Sequence, residues 1–98
     1  MSILNSDRHN QIRKLILKVL APEYPKTVDA AILRRCLSNF GYPMQEDSMN
    51  AYLAYLSECG FIRVIDKKGF DIRMVCITTS GLDVLDGRIS HIGIGVDD

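Results

Sequence analysis

Lys67 and Lys68 stand side by side in "FIRVIDKKGFDIRMV", with Arg63 and Arg73 to either side. Four cations between Arg63 and Arg73, against Asp66 and Asp71, are a group able to neutralise phosphate oxygens. A second basic group, Arg8, Arg13, Lys14 and Lys18, follows Asp7. Between them, "QEDSMNAYLAYLSECGFI" has a polar start, an apolar stripe and a glycine exit. It carries Glu46, Asp47 and Glu58 and no Lys or Arg, a charge unsuited to a phosphate backbone. Catalytic groupings are missing. His9 follows Asp7 by two residues on a helix start expected to be exposed, and His91 sits near the C-terminus. No carboxylate pair, nucleophile with a neighbouring base or phosphate-cradling glycine loop is present, so an enzyme is not expected. "GIGV" lacks the third glycine and the strand-turn-helix setting of a dinucleotide site. No cofactor or metal is expected.

Bulk composition narrows the class further. Ninety-eight residues with 47% apolar and 24% charged side chains make one ordinary globular domain. Twelve basic and twelve acidic residues cancel, where a nucleic-acid binder usually carries a basic excess. The charge is nonetheless segregated, with four acids and one Arg from Asp83 onward. Cys36, Cys59 and Cys76 are odd in number and lack CxxC or Cys-His spacing, so neither a disulfide framework nor a zinc site is expected. No apolar run reaches the ~20 residues of a membrane span, and the N-terminus lacks a signal-peptide layout. A cytoplasmic protein without a membrane or small-molecule partner is expected.

The elements that must position these groups follow from apolar periodicity. Ile12, Leu15, Ile16, Val19 and Leu20 mark a first helix, capped by Asn5 or Ser6, ended by Pro22 and Pro25, with its basic residues on the opposite face. A second helix starts at Thr27 as cap, turns Ala30, Leu33, Leu37 and Phe40 inward with Cys36, and stops at Gly41. The third puts Met49, Tyr52, Leu53 and Leu56 inward and stops at Gly60, with Phe61 making the apolar contact of a glycine cap. The period then changes to two. Ile62 and Val64 alternate with Arg63 and Ile65, then Ile72, Met74 and Cys76 with Arg73 and Val75, around a "DKKGFD" hairpin loop. A short helix capped by Thr78 or Thr79 follows, with Leu82 and Leu85 inward and Gly87 as its end. The core spans about 6–87, and 88–98 reads as a partly ordered arm, with a frayed tail or an extra strand as the alternatives.

"MNAYLAYLSECGFIRV" and "ITTSGLDVLDG", in this element order, resemble the winged helix-turn-helix family. The resemblance covers Ile12 to Gly87 and implies an α+β fold of a three-helix core, a two-stranded β-hairpin wing and a short C-terminal helix. "ITTSGLDVLDGR" with its glycine-rich tail is also similar to small winged-helix proteins of Mu-like phages and prophages.

The family resemblance implies double-stranded DNA as partner and a role in transcription regulation, with helix three in the major groove and the wing along phosphates. Gln45, Ser48, Asn50, Ala51 and Tyr55 are then the base-facing positions. Arg63, Lys67, Lys68 and Arg73 of the wing, with Arg34 and Arg35 of helix two, are the backbone contacts. A homodimer through the terminal helices is a further expectation, with Leu17, Ile3 and Leu4 offering leftover apolar surface. The competing reading is a protein-interaction module that docks a basic partner on the acidic, tyrosine-bearing face of helix three. Tyr42, Tyr52 and Tyr55 otherwise complete a core without tryptophan.

Overall fold

The computed structural model describes residues 3–95, with the backbone alone for residues 3–6. Four helices, α1 (Ile3–Leu20), α2 (Ala30–Asn39), α3 (Glu46–Glu58) and α4 (Thr79–Leu85), surround three antiparallel strands. The strands are β1 (Val28–Asp29), β2 (Ile62–Lys67) and β3 (Ile72–Ile77), ordered β1-β3-β2. This α+β arrangement is compatible with a winged helix.

β1 was not foreseen, and two residues are too few to show a period. Val28 pairs with Val75 and Asp29 with Met74, which makes the expected two-stranded sheet three-stranded. The same pairing moves the α2 cap from Thr27 to Asp29, whose Oδ1 accepts from the Ala31 N–H at 2.8 Å. α1 begins at Ile3, before Asn5 and Ser6, so neither of them is its cap.

Ile16, Leu17, Leu33, Leu37, Leu53, Leu56 and Val75 form the centre of the core. Leu17, expected as leftover surface, is fully buried; the side chains of Ile3 and Leu4 lie outside the described residues. Lys14 is also buried, so the basic face of α1 is narrower than expected. Phe40 is 62% exposed instead of inward, because it is the C-cap residue where the chain leaves α2.

α2, α3 and α4 end alike. Gly60 has φ +81°, its N–H reaches the Ser57 carbonyl at 3.0 Å, and the Phe61 N–H reaches Leu56 at 3.0 Å. That double closure needs a left-handed residue, which glycine supplies without a Cβ clash. It turns Phe61 into the core and launches β2.

The hairpin register places Ile62 opposite Ile77 and Val64 opposite Val75. Val75 and Ile77 therefore share the core face with Ile62, while Ile72, Met74 and Cys76, which alternate with them, lie on the opposite face. Cys76 is buried on the other face, where its thiol donates to the Pro25 carbonyl at 3.4 Å. Thr78, not Thr79, caps α4: its Oγ1 accepts from the Gly81 N–H at 3.1 Å and donates to the Gly60 carbonyl at 2.6 Å.

Residues 88–95 form no strand and, instead of fraying, pack against the body of the domain. Ile94 is 5% exposed and belongs to the core cluster. Asn10 Nδ2 donates to the Ile92 carbonyl, Arg13 Nη1 to the Gly93 carbonyl and the Gly95 N–H to the Asn10 carbonyl, at 3.1–3.2 Å. Gly93 passes so close to Tyr55 that an added Cβ would sit 2.0 Å from its hydroxyl. Gly93→Ala is accordingly expected to lift this segment from α1 and α3. Hydrogen exchange should then report faster exchange at Ile94 and Gly95 with little change elsewhere; unchanged exchange would contradict the close approach.

Candidate nucleic-acid interface

Loop length sets the hairpin geometry. Four residues, Lys68–Asp71, join the rung Lys67–Ile72, and Gly69 (φ +86°) and Asp71 (φ +52°) make the reversal. One rung below the tip, Asp66 stands opposite Arg73 on the core side of the sheet. Arg73 Nε donates to Asp66 Oδ1 at 2.7 Å, and Nη1 donates to Asn50 Oδ1 of α3 at 3.0 Å. A single guanidinium thus clasps the hairpin to α3, a fork geometry that an ammonium group could not reproduce.

The Arg73 hydrogen bond lowers the Asp66 pKa, and in return the Asp66 hydrogen bond raises that of Arg73. A carboxyl depressed in the fold strengthens the clasp above its unfolded pKa, about 3.9, and that contribution is lost as pH falls through the depressed value. The Arg73 Nε–H resonance is therefore expected to be constant at neutral pH and to move only below about pH 4. Asp66→Asn should abolish the movement; a titration unchanged in that variant would exclude the ion pair as its cause.

The clasp closes one side of a cleft of about 680 Å³ between the hairpin and the starts of α2 and α3. Arg34, Lys67, Lys68, Arg73 and Asn50 line it. Asp29, Glu46, Asp66 and Asp71 line it too, so four cations meet four carboxylates. Lys67 and Lys68 are exposed at its outer end, whereas Arg35 and Arg63 are exposed but outside it. Arg63 is four residues from Lys67, about 13 Å along the strand.

α3 presents a different surface. At about 100° per residue, Met49, Leu53 and Leu56 fix the buried side, and Asp47, Ala51, Ala54 and Glu58 fall opposite it, all exposed. Gln45 precedes the helix as its cap residue and Ser48 is exposed. Ser48 and Ala51 border a groove of about 450 Å³ facing His9 and Arg13 of α1. His9 is only partly exposed and shares a 2.6 Å hydrogen bond with the Tyr52 hydroxyl. Burial raises the Tyr52 pKa despite Arg13 and Arg8 nearby.

Tyr55 is half-buried, with the Arg13 guanidinium 3.8 Å from its ring centroid and His91 edge-on at 6.0 Å. His91 Nδ1 accepts from the Gly93 N–H at 3.0 Å, which leaves Nε2 to donate to the Cys59 thiol at 3.5 Å. Burial raises the Cys59 pKa, keeping it a thiol. The structure thus brings Asn50 and Arg73 together, holds Tyr55 under the C-terminal segment and leaves Gln45, Ser48, Ala51, Lys67 and Lys68 open. The Asp66–Arg73–Asn50 clasp was not anticipated; the loop length that sets the rung opposing Asp66 and Arg73 was its only signal in the sequence.

No helix among the described residues is long and apolar enough to cross a membrane. No family model matches the chain, and no curated protein matches it significantly. Among solved structures it is similar to the crystal structure of a candidate transcriptional regulator from Thermoplasma acidophilum. The TM-score is 0.59 at 21% identity, over 78% of this chain and 76% of that one. At that identity the likeness is one of fold.

Proposed function

We propose that this chain is a winged helix-turn-helix protein that binds double-stranded DNA as a transcriptional regulator, with the β2–β3 hairpin as the wing. The observation that carries the reading is the tip: Lys67 and Lys68 are exposed together on a hairpin that is clasped to α3 through Arg73, one rung below them. A braced hairpin presents its cations without first ordering itself, which lowers the entropic cost of binding. Lys67 and Lys68 hold phosphates in this reading, and Arg34 adds a contact from α2. Arg73 acts as a brace. Asn50 spends its acceptor on Arg73 and keeps its amide hydrogens for a base or phosphate. Gln45 and Ser48, at the open end of α3, are the base contacts.

The fold likeness to a candidate regulator supports the class of function and does not extend to a phage origin. Buried Leu17 lends a homodimer no support, and the reading is of a single module. Fluorescence anisotropy with mixed-sequence duplexes at low salt tests it: micromolar or tighter binding that weakens as salt rises is expected. No binding at micromolar protein would overturn it.

One observation favours the interaction-module reading. Asp47, Ala51, Ala54 and Glu58 make a solvent-facing stripe with two carboxylates and no cation. A basic peptide fits that stripe better than a phosphate backbone does, and binding of such a peptide in place of DNA would select this second reading.

A further inference from the structure

We propose that Phe70, at the hairpin tip, is an apolar wedge that enters duplex DNA from the minor groove and partly unstacks one base step. The inference rests on the DNA-binding reading above and adds to it a residue that the charge argument does not reach. Phe70 is 73% exposed, although Phe61 of the same chain is in the core at 4%. Its position is built. It lies between Gly69 and Asp71, both with positive φ, and its N–H closes the turn on the Lys67 carbonyl at 3.3 Å. Positive φ is uncommon for a residue with a side chain, and Asp is among the few that tolerate it, so Gly69 and Asp71 together specify this turn.

An apolar ring two residues beyond a pair of exposed lysines points to a partner that is anionic outside and apolar within. Stacked bases behind phosphates are such a partner, and apolar side chains inserted between base steps are an established means of kinking a duplex. The α3 face makes the extra contact useful. Asp47 and Glu58 there oppose phosphate, and two tip lysines neutralise few charges, so electrostatics leave the affinity low. A wedge contributes binding that salt does not screen.

The test uses the full chain and a mixed-sequence duplex with 2-aminopurine at several adenine positions. Wild-type protein should raise 2-aminopurine emission as the probe unstacks. Phe70→Ala should abolish that rise and weaken binding roughly 5- to 150-fold, the range of one aromatic-base contact, with the salt slope unchanged. Phe70→Leu, still an apolar wedge, should restore both signals in part, and circular dichroism should match for all three proteins. If Phe70→Ala binds like wild type while reversing Lys67 and Lys68 abolishes binding, the wedge is wrong and the phosphate clamp stands. If Phe70→Ala also lowers the salt slope, the ring only holds the turn, and the wedge is again wrong. If wild-type protein binds no duplex at low salt, the wedge falls with the DNA-binding reading itself.

Discussion

Reversing both tip charges, Lys67→Glu with Lys68→Glu, is expected to weaken duplex binding by about 100-fold or more at ~50 mM salt. Each neutralised phosphate contributes about −0.9 to the slope of log affinity against log salt, so losing two contacts flattens it by roughly 1.8. The repulsion introduced by the new carboxylates adds to that loss. Folding should be untouched, because both side chains are exposed and no described hydrogen bond or ion pair uses them. The reversal thus separates the tip from the clasp beneath it, which an Arg73 substitution would not do. Anisotropy titrations at several salt concentrations, with melting curves as control, give both numbers. An unchanged affinity in a protein that melts like wild type would remove the tip from the interface. The same experiment bears on α3: were its acidic stripe the true contact, as for a basic partner, reversal of the tip would leave that partner's binding intact.

A comparable effect on stability is expected from a single methyl group. Gly81 lies in the first turn of α4, and a Cβ there would sit 2.3 Å from the Phe61 carbonyl oxygen and 2.6 Å from Ile77 Cγ1. Backbone cannot yield as a side-chain tip does. The Phe61 carbonyl is held by the Thr78 N–H at 3.0 Å, and Phe61 itself by the closure of α3. Gly81→Ala must therefore push α4 away from the hairpin root, an overpacking defect of about 2–3 kcal/mol. For a domain of this size that lowers the melting temperature by roughly 10–20 °C. Gly81 has an ordinary helical backbone, and alanine is the better helix former, so local propensity alone predicts stabilisation. Differential scanning calorimetry decides by sign: a raised melting temperature would mean that α4 does not pack this closely on Phe61.

The local features of this chain are legible in its residues alone. Apolar residues three and four apart announced α1, α2 and α3, and glycines at 41, 60 and 87 announced where α2, α3 and α4 stop. The "DKKGFD" loop announced the hairpin and its cations. Each of these depends on neighbours within one turn of chain, so the letters suffice.

Tertiary structure decided what depends on pairing across distance. β1 exists because Val28 and Asp29 meet β3 some 45 residues later, the offset shown by the Asp29–Met74 pairing. That same meeting is what moved the α2 cap. Alternation in β3 does not tell which set faces the core, because apolar residues occupy both faces, and only pairing with β2 shows that Val75 and Ile77 do. Arg73 and Asn50, each a sound candidate for DNA when taken alone, turn out to hold one another. Tyr55 is withdrawn by Arg13 and His91, forty-two residues before it and thirty-six after. A side chain's chemistry is written in its letter, but whether that chemistry is free for a partner depends on which groups the folded chain brings within three or four ångströms of it.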